Sequence, residues 1–224
     1  MRKWGVVVSL FYAMILLGFI VPAFSLLLLT TTARFSSEFF DTLTNVFGSW
    51  MTEFVAAILI AGEAILLFLT VDTSQKRLKP RTHIAISYTV TAALFALLIF
   101  AGFSAFGVAL SEKFLDYAWN SVAQVIAAWA GLWVLWGVVF YLYTRNSPVA
   151  TTRILSWLLK GSVLELLIAI PCHVIVRRRE DCCAPMVTSF GIATGVAVMF
   201  LCFGPSVLLL YKKRLDSYST RGTS

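Results

Sequence analysis

The densest group of reactive side chains lies between Lys160 and Pro185, in the string KGSVLELLIAIPCHVIVRRREDCCAP. Its apolar first half carries Lys160, Glu165, Cys172 and His173, and its second half crowds Arg177, Arg178, Arg179, Glu180, Asp181, Cys182 and Cys183 into consecutive positions. Cys172, His173, Cys182 and Cys183 admit three chemistries. A disulfide from Cys172 to Cys182 or Cys183 would close a short loop in an oxidising compartment. Thiolate and imidazole together would hold a transition metal or a haem iron, although the spacing matches no standard zinc pattern. A redox thiol pair would draw on the arginines, which favour thiolate over thiol, but no C-x-x-C is present. The spacing alone does not choose among them, so the cofactor stays open. Arg177, Arg178 and Arg179 carry planar donor forks suited to a carboxylate or phosphate, or to lipid phosphates.

A second set of ionisable groups is embedded in apolar sequence. Glu63, Lys160 and Glu165 each interrupt a long hydrophobic run. Such groups are costly in hydrocarbon and mark ion or proton sites by default. At ~1.5 Å per residue, Lys160 falls about 9 Å and Glu63 about 12 Å from one boundary, with Glu165 near the midplane. Similar depth suggests a Glu63–Lys160 pair, which would offset much of the burial cost. Lys160 and Glu165 are five apart on one helix and should point in different directions. Asn120 and Gln124, at the start of another apolar run, are candidate hydrogen-bonding partners for the Cys/His group.

The elements that must position these residues are apolar helices. Of the 224 residues 59% are hydrophobic and 13% charged, about half the charged fraction of a soluble domain. Apolar runs near 20 residues recur, and the short alternating segments of a membrane barrel are absent. The fold class expected is therefore all-α: a polytopic membrane protein with six spans. These are Trp4–Thr30, about Met51–Val71, Ile84–Leu110, Asn120–Tyr143, Ile154–Val176 and Met186–Tyr211. The first span runs past a possible Ala23-Phe24-Ser25 cleavage site and is longer than a signal-peptide core, so it reads as an uncleaved helix. Between spans one and two, Phe39, Phe40, Leu43, Val46, Phe47 and Trp50 share one face and Glu38, Asp41 and Asn45 the other. That pattern predicts a short amphipathic helix in the outer interface.

Small residues of the third span (Ala92, Ala96, Gly102, Ala105) and Gly191-x-x-x-Gly195 of the sixth suit close helix approach. Trp129, Trp133 and Trp136 form a stripe that reads as packing or lipid contact. Pro171 and Gly204-Pro205 should loosen or kink their helices. Linkers are short, so residues 1–215 form one domain, followed by a polar, disordered tail over 216–224.

The net charge of +7 does not imply nucleic acid, because Lys and Arg cluster at span ends where they set topology. With both termini cytoplasmic, twelve Lys and Arg lie inside and five outside, Lys160 being intramembrane. The Arg triplet then sits on the outer face, against the rule obeyed elsewhere. The location expected is the cell (inner or plasma) membrane, the partners the bilayer and other membrane subunits. The leading functional expectation is an outer-facing Cys/His/Arg site that binds a metal, cofactor or anionic group within a membrane assembly. A proton- or ion-coupled transporter using Glu63, Lys160 and Glu165 is the alternative, and a membrane thiol oxidoreductase the third. Whether the chain is an enzyme is left open by its residues.

Overall fold

The computed structural model describes residues 2–28, 37–72, 80–111, 114, 122–144, 150–179 and 184–221. Among them the chain is helical throughout. α1 (Arg2–Ile15) and α2 (Val21–Leu28) are halves of one long helix joined by a π turn over Leu16–Ile20. Pro22 explains the break: it has no N–H to donate, and the helix widens just before it. The Val21 N–H reaches back to the Leu16 carbonyl. α3 (Ser37–Phe47), α4 (Trp50–Asp72), α5 (Pro80–Leu110), α6 (Val122–Thr144), α7 (Ala150–Arg178) and α8 (Ala184–Arg221) follow.

Five helices are long and apolar enough to cross a bilayer: Val6–Leu28, Tyr88–Leu110, Ala123–Tyr143, Arg153–Arg178 and Ala184–Phe203. A sixth span arises if Phe39–Phe47 and Thr52–Leu66, which meet at a 64° bend, are taken as one. The segment read as an amphipathic helix is helical, as α3, at a steep angle to α4.

α5 and α8 form the centre. α5 packs against α4, α6, α7 and α8, while α8 also packs against α1, α2, α4 and α7. α4 and α7 are not major packing partners; each leans on α5 and α8. Small residues allow this crowding. Ala92, Ala96, Ala101 and Ala105 are all buried on α5. On α7, Gly161 leaves a hole that the Phe95 ring fills, 2.6 Å from where a Cβ would stand. The Phe95 ring also packs edge-on against Trp136 and Phe140, at centroid distances of 4.5 and 5.5 Å.

Those contacts anchor α6, otherwise the most exposed span, to α5. The Trp133 indole N–H adds a 2.9 Å hydrogen bond to the Thr89 carbonyl. The tryptophan stripe is therefore a packing device, as its spacing suggested. Neither proline ends its helix: α7 continues through Pro171, which lies on its exposed face, and α8 continues through Gly204-Pro205. The tail expected to be disordered is helical as far as Arg221.

Candidate functional site

Glu165 stands where α5, α7 and α8 meet. Twelve residues past Arg153, it lies roughly 18 Å along a span of about 39 Å, close to the middle. It is 4% exposed, and both carboxyl oxygens are buried without a hydrogen-bond partner among the described residues. What receives them is backbone. A Cβ on Gly191 would stand 3.2 Å from Glu165 Oε1, and a Cβ on Gly195 would overlap Oε2 outright. Gly102 of α5 closes the third side, its Cβ position 3.5 Å from Glu165 Cγ.

The cradle is thus three glycines on two helices, and any larger residue would fill it. The Gly191-x-x-x-Gly195 face does mediate close packing, but the knob in its hole is a carboxyl group. The sequence shows both partners; what it does not show is that they meet.

The nearby hydroxyls cannot satisfy Glu165, because they bond to their own helices. Ser162 donates to the Leu159 carbonyl at 2.9 Å and Thr194 to the Phe190 carbonyl at 2.8 Å. This back-bonding is the usual resort of Ser and Thr inside apolar helices. An ionised, unpaired carboxylate in such surroundings would cost several kcal/mol. Glu165 packed as observed is therefore a neutral carboxylic acid.

Glu63 repeats the situation on α4. It is fully buried, with neither oxygen hydrogen-bonded among the described residues. It lies close enough to Tyr12 and Cys202 to act electrostatically on both. The Tyr12 hydroxyl donates to the Ala197 carbonyl at 3.1 Å, tying α1 to α8 beside it.

The expected Glu63–Lys160 pair is not formed. Lys160 is on the exposed face of α7, with α5 and α8 packed between that helix and α4. Equal depth placed the two at one height but on different sides of the bundle. The opposed directions of Lys160 and Glu165 are as the five-residue spacing required.

Of the Cys/His/Arg group, Cys172, His173, Arg177, Arg178 and Arg179 are among the described residues. Cys172 is a buried free thiol in an apolar cluster with Ala105, Val108, Ala109, Ala169 and Val176. The cluster also holds Ala184, the first residue of α8, and Cys172 stands unbridged there, so the expected disulfide is not formed. Cys182, Cys183 and Asn120 lie outside the described residues.

His173 is buried, with Nδ1 2.8 Å from Thr188 Oγ1. Thr188 Oγ1 in turn lies 3.3 Å from the Ala184 carbonyl and 3.2 Å from that of Pro185. The Thr188 hydroxyl thus joins the His173 ring to the first turn of α8. Gln124 is exposed on α6. No three His, Cys, Asp or Glu side chains among the described residues are arranged to hold a metal.

The arginines divide. The Arg177 guanidinium donates to the Leu27 carbonyl, in the last turn of α2. A cation there satisfies an orphan carbonyl and the negative helix end together. Arg178 and Arg179 are exposed. No family model, curated protein or solved structure matches this chain.

Along α7 the buried polar positions are Ser162, Glu165 and His173. They span eleven residues, about 17 Å of helix. A mid-span acid is thus placed between a hydroxyl on one side and an imidazole on the other.

Proposed function

We propose that this chain is a small proton-coupled membrane transporter in which Glu165 is the proton-binding group. The observation that carries the reading is the glycine cradle: a mid-span carboxyl group, sealed against Gly102, Gly191 and Gly195, with no hydrogen-bond partner for either oxygen among the described residues. Packed this way it must hold its proton. To release it, α7 and α8 must part enough to admit water or a cation, and the glycine surface provides a seam with no side chains to disentangle. Protonation and helix packing are thereby one equilibrium. His173 and Thr188 lie on the path from the Arg177 end of α7, and Ser162 lies on the opposite side. Glu63, beside Tyr12, is a second protonatable carboxyl on the other flank of α8.

Six spans with both termini cytoplasmic, α3 lying in the outer interface and Arg178 and Arg179 on the outer face complete the proposal. In that setting the two exposed arginines contact anionic groups such as lipid phosphates.

The reading is tested in proteoliposomes loaded with a pH-sensitive dye. An imposed membrane potential should drive proton movement with the native protein, and Glu165→Gln should abolish it. Undiminished flux through Glu165→Gln would overturn the assignment.

A further inference from the structure

The exposed charges of α7 form a pattern that the Glu165 site does not use. Arg153, Trp157, Lys160 and Leu164 recur at i, i+4, i+7 and i+11, a single stripe along the helix, and all four are exposed. Above them Leu164 and Leu167 continue an apolar surface, 61% and 66% exposed. Beside them the Trp157 ring packs edge-on against Tyr143 of α6, with centroids 5.9 Å apart and planes at 74°. Lys160 has no carboxylate partner among the described residues, since Glu63 and Glu165 are both buried elsewhere.

Each component fits one level of a bilayer. Trp and Tyr settle at the headgroup boundary, so the Tyr143–Trp157 pair marks where hydrocarbon ends. Lys160, one turn deeper, has its side chain directed toward the helix N-terminus, that is, toward this boundary. Arg153, one turn further out, stands in the headgroup layer. A phosphate at the level of Trp157 lies about 6 Å along the axis from Arg153 and about 4.5 Å from Lys160, so Lys160 meets it by leaning toward the helix N-terminus and the longer Arg153 by folding back toward Trp157. The exposed Leu164 and Leu167 would then lie against its acyl chains.

We propose that Arg153, Lys160 and the Tyr143–Trp157 edge form a binding site for the headgroup of an anionic phospholipid. Two cations converge on one phosphate, so a net negative headgroup fits better than a zwitterionic one, whose ammonium would be repelled. The site is independent of the Glu165 proposal, as it uses the opposite face of α7.

The test uses the full chain in proteoliposomes of phosphatidylcholine doped with spin-labelled phosphatidylglycerol or spin-labelled phosphatidylcholine, read as the motionally restricted fraction. The native protein should restrict phosphatidylglycerol preferentially. Each of Arg153→Gln and Lys160→Gln should reduce that preference by about fivefold, the double variant should remove it, and restriction of phosphatidylcholine should not change. Arg153→Lys and Lys160→Arg should restore the preference, which separates charge recognition from misfolding. All these variants, and the protein they are compared with, carry Arg178→Gln and Arg179→Gln, so that the arginines at the other end of α7, which also face lipid phosphates, add nothing to the preference. Equal restriction of both lipids by the native protein, or a preference that survives the double Gln variant, would overturn the proposal. So would displacement of phosphatidylglycerol by millimolar inorganic phosphate, which would make this a site for free anions.

Discussion

Replacing Gly195 by alanine places a methyl group where the Glu165 carboxyl now sits. The new Cβ would overlap Oε2 and stand 2.9 Å from Cγ and 3.0 Å from Cδ2 of Leu166, so two side chains of α7 must move at once. Forcing a methyl into a packed interior costs about 1–3 kcal/mol. Alanine recovers roughly 1 kcal/mol of helix propensity. With two side chains to displace, the net expectation is a loss of about 1–2 kcal/mol.

Gly131→Ala on α6 is the matched control. Nothing lies within 4 Å of its Cβ position, so only the propensity term remains and stability should hold or rise. Gly191→Ala, with Glu165 Oε1 at 3.2 Å, should fall between the two. The decisive comparison is made in Glu165→Ala, where the Oε2 overlap is gone and Gly195→Ala should lose part of its effect, the Leu166 contacts remaining. Neighbours in contact couple by about 0.5–3 kcal/mol, and independent sites add. Reversible unfolding in mixed micelles, followed by circular dichroism, measures each free energy. Additive losses at Gly195 and Glu165, or a neutral Gly195→Ala, would refute the cradle.

Three further outcomes follow from the same geometry. Because Lys160 and Glu63 do not meet, Lys160→Met and Glu63→Gln should combine additively in the same assay, and a favourable coupling above about 1 kcal/mol would contradict the bundle order. The Cys172 thiol should resist alkylation in the folded protein and react on unfolding, and rapid labelling of native Cys172 would show that it faces the helix end after all. Arg177→Gln should release the Leu27 carbonyl and cost about 1–3 kcal/mol, with the first span becoming more open to proteolysis.

The sequence made the helices legible because long apolar runs leave little choice of structure, and each expected span contains an observed helix. The helical periodicity also separated Lys160 from Glu165 correctly. Depth along a helix was readable from residue counts, whereas the neighbour at that depth was not. Glu63 and Lys160 share a level, yet α5 and α8 intervene, and nothing local to either residue encodes that order. The disulfide was suggested by the closeness of Cys172 to Cys182 and Cys183 in sequence, whereas Cys172 packs unbridged with Ala169, Val176 and Ala184. The glycine cradle was half legible. Gly191 and Gly195 announced a close contact, but an apolar partner helix is the usual occupant of such a face, and a carboxyl group was not the expected one. The helical tail to Arg221 ran against its polar composition.

The most direct test of the central claim is the protonation state of Glu165 itself. Infrared difference spectra of the membrane-reconstituted protein, recorded across a pH titration, report the carbonyl stretch of a protonated carboxyl group. The native protein should show a buried carboxylic acid that persists at neutral pH and ionises only as the bundle opens to solvent exchange, and this band should vanish in Glu165→Gln while the Glu63 band remains. A Glu165 already ionised at neutral pH, or a band unchanged in Glu165→Gln, would contradict a proton held in the cradle.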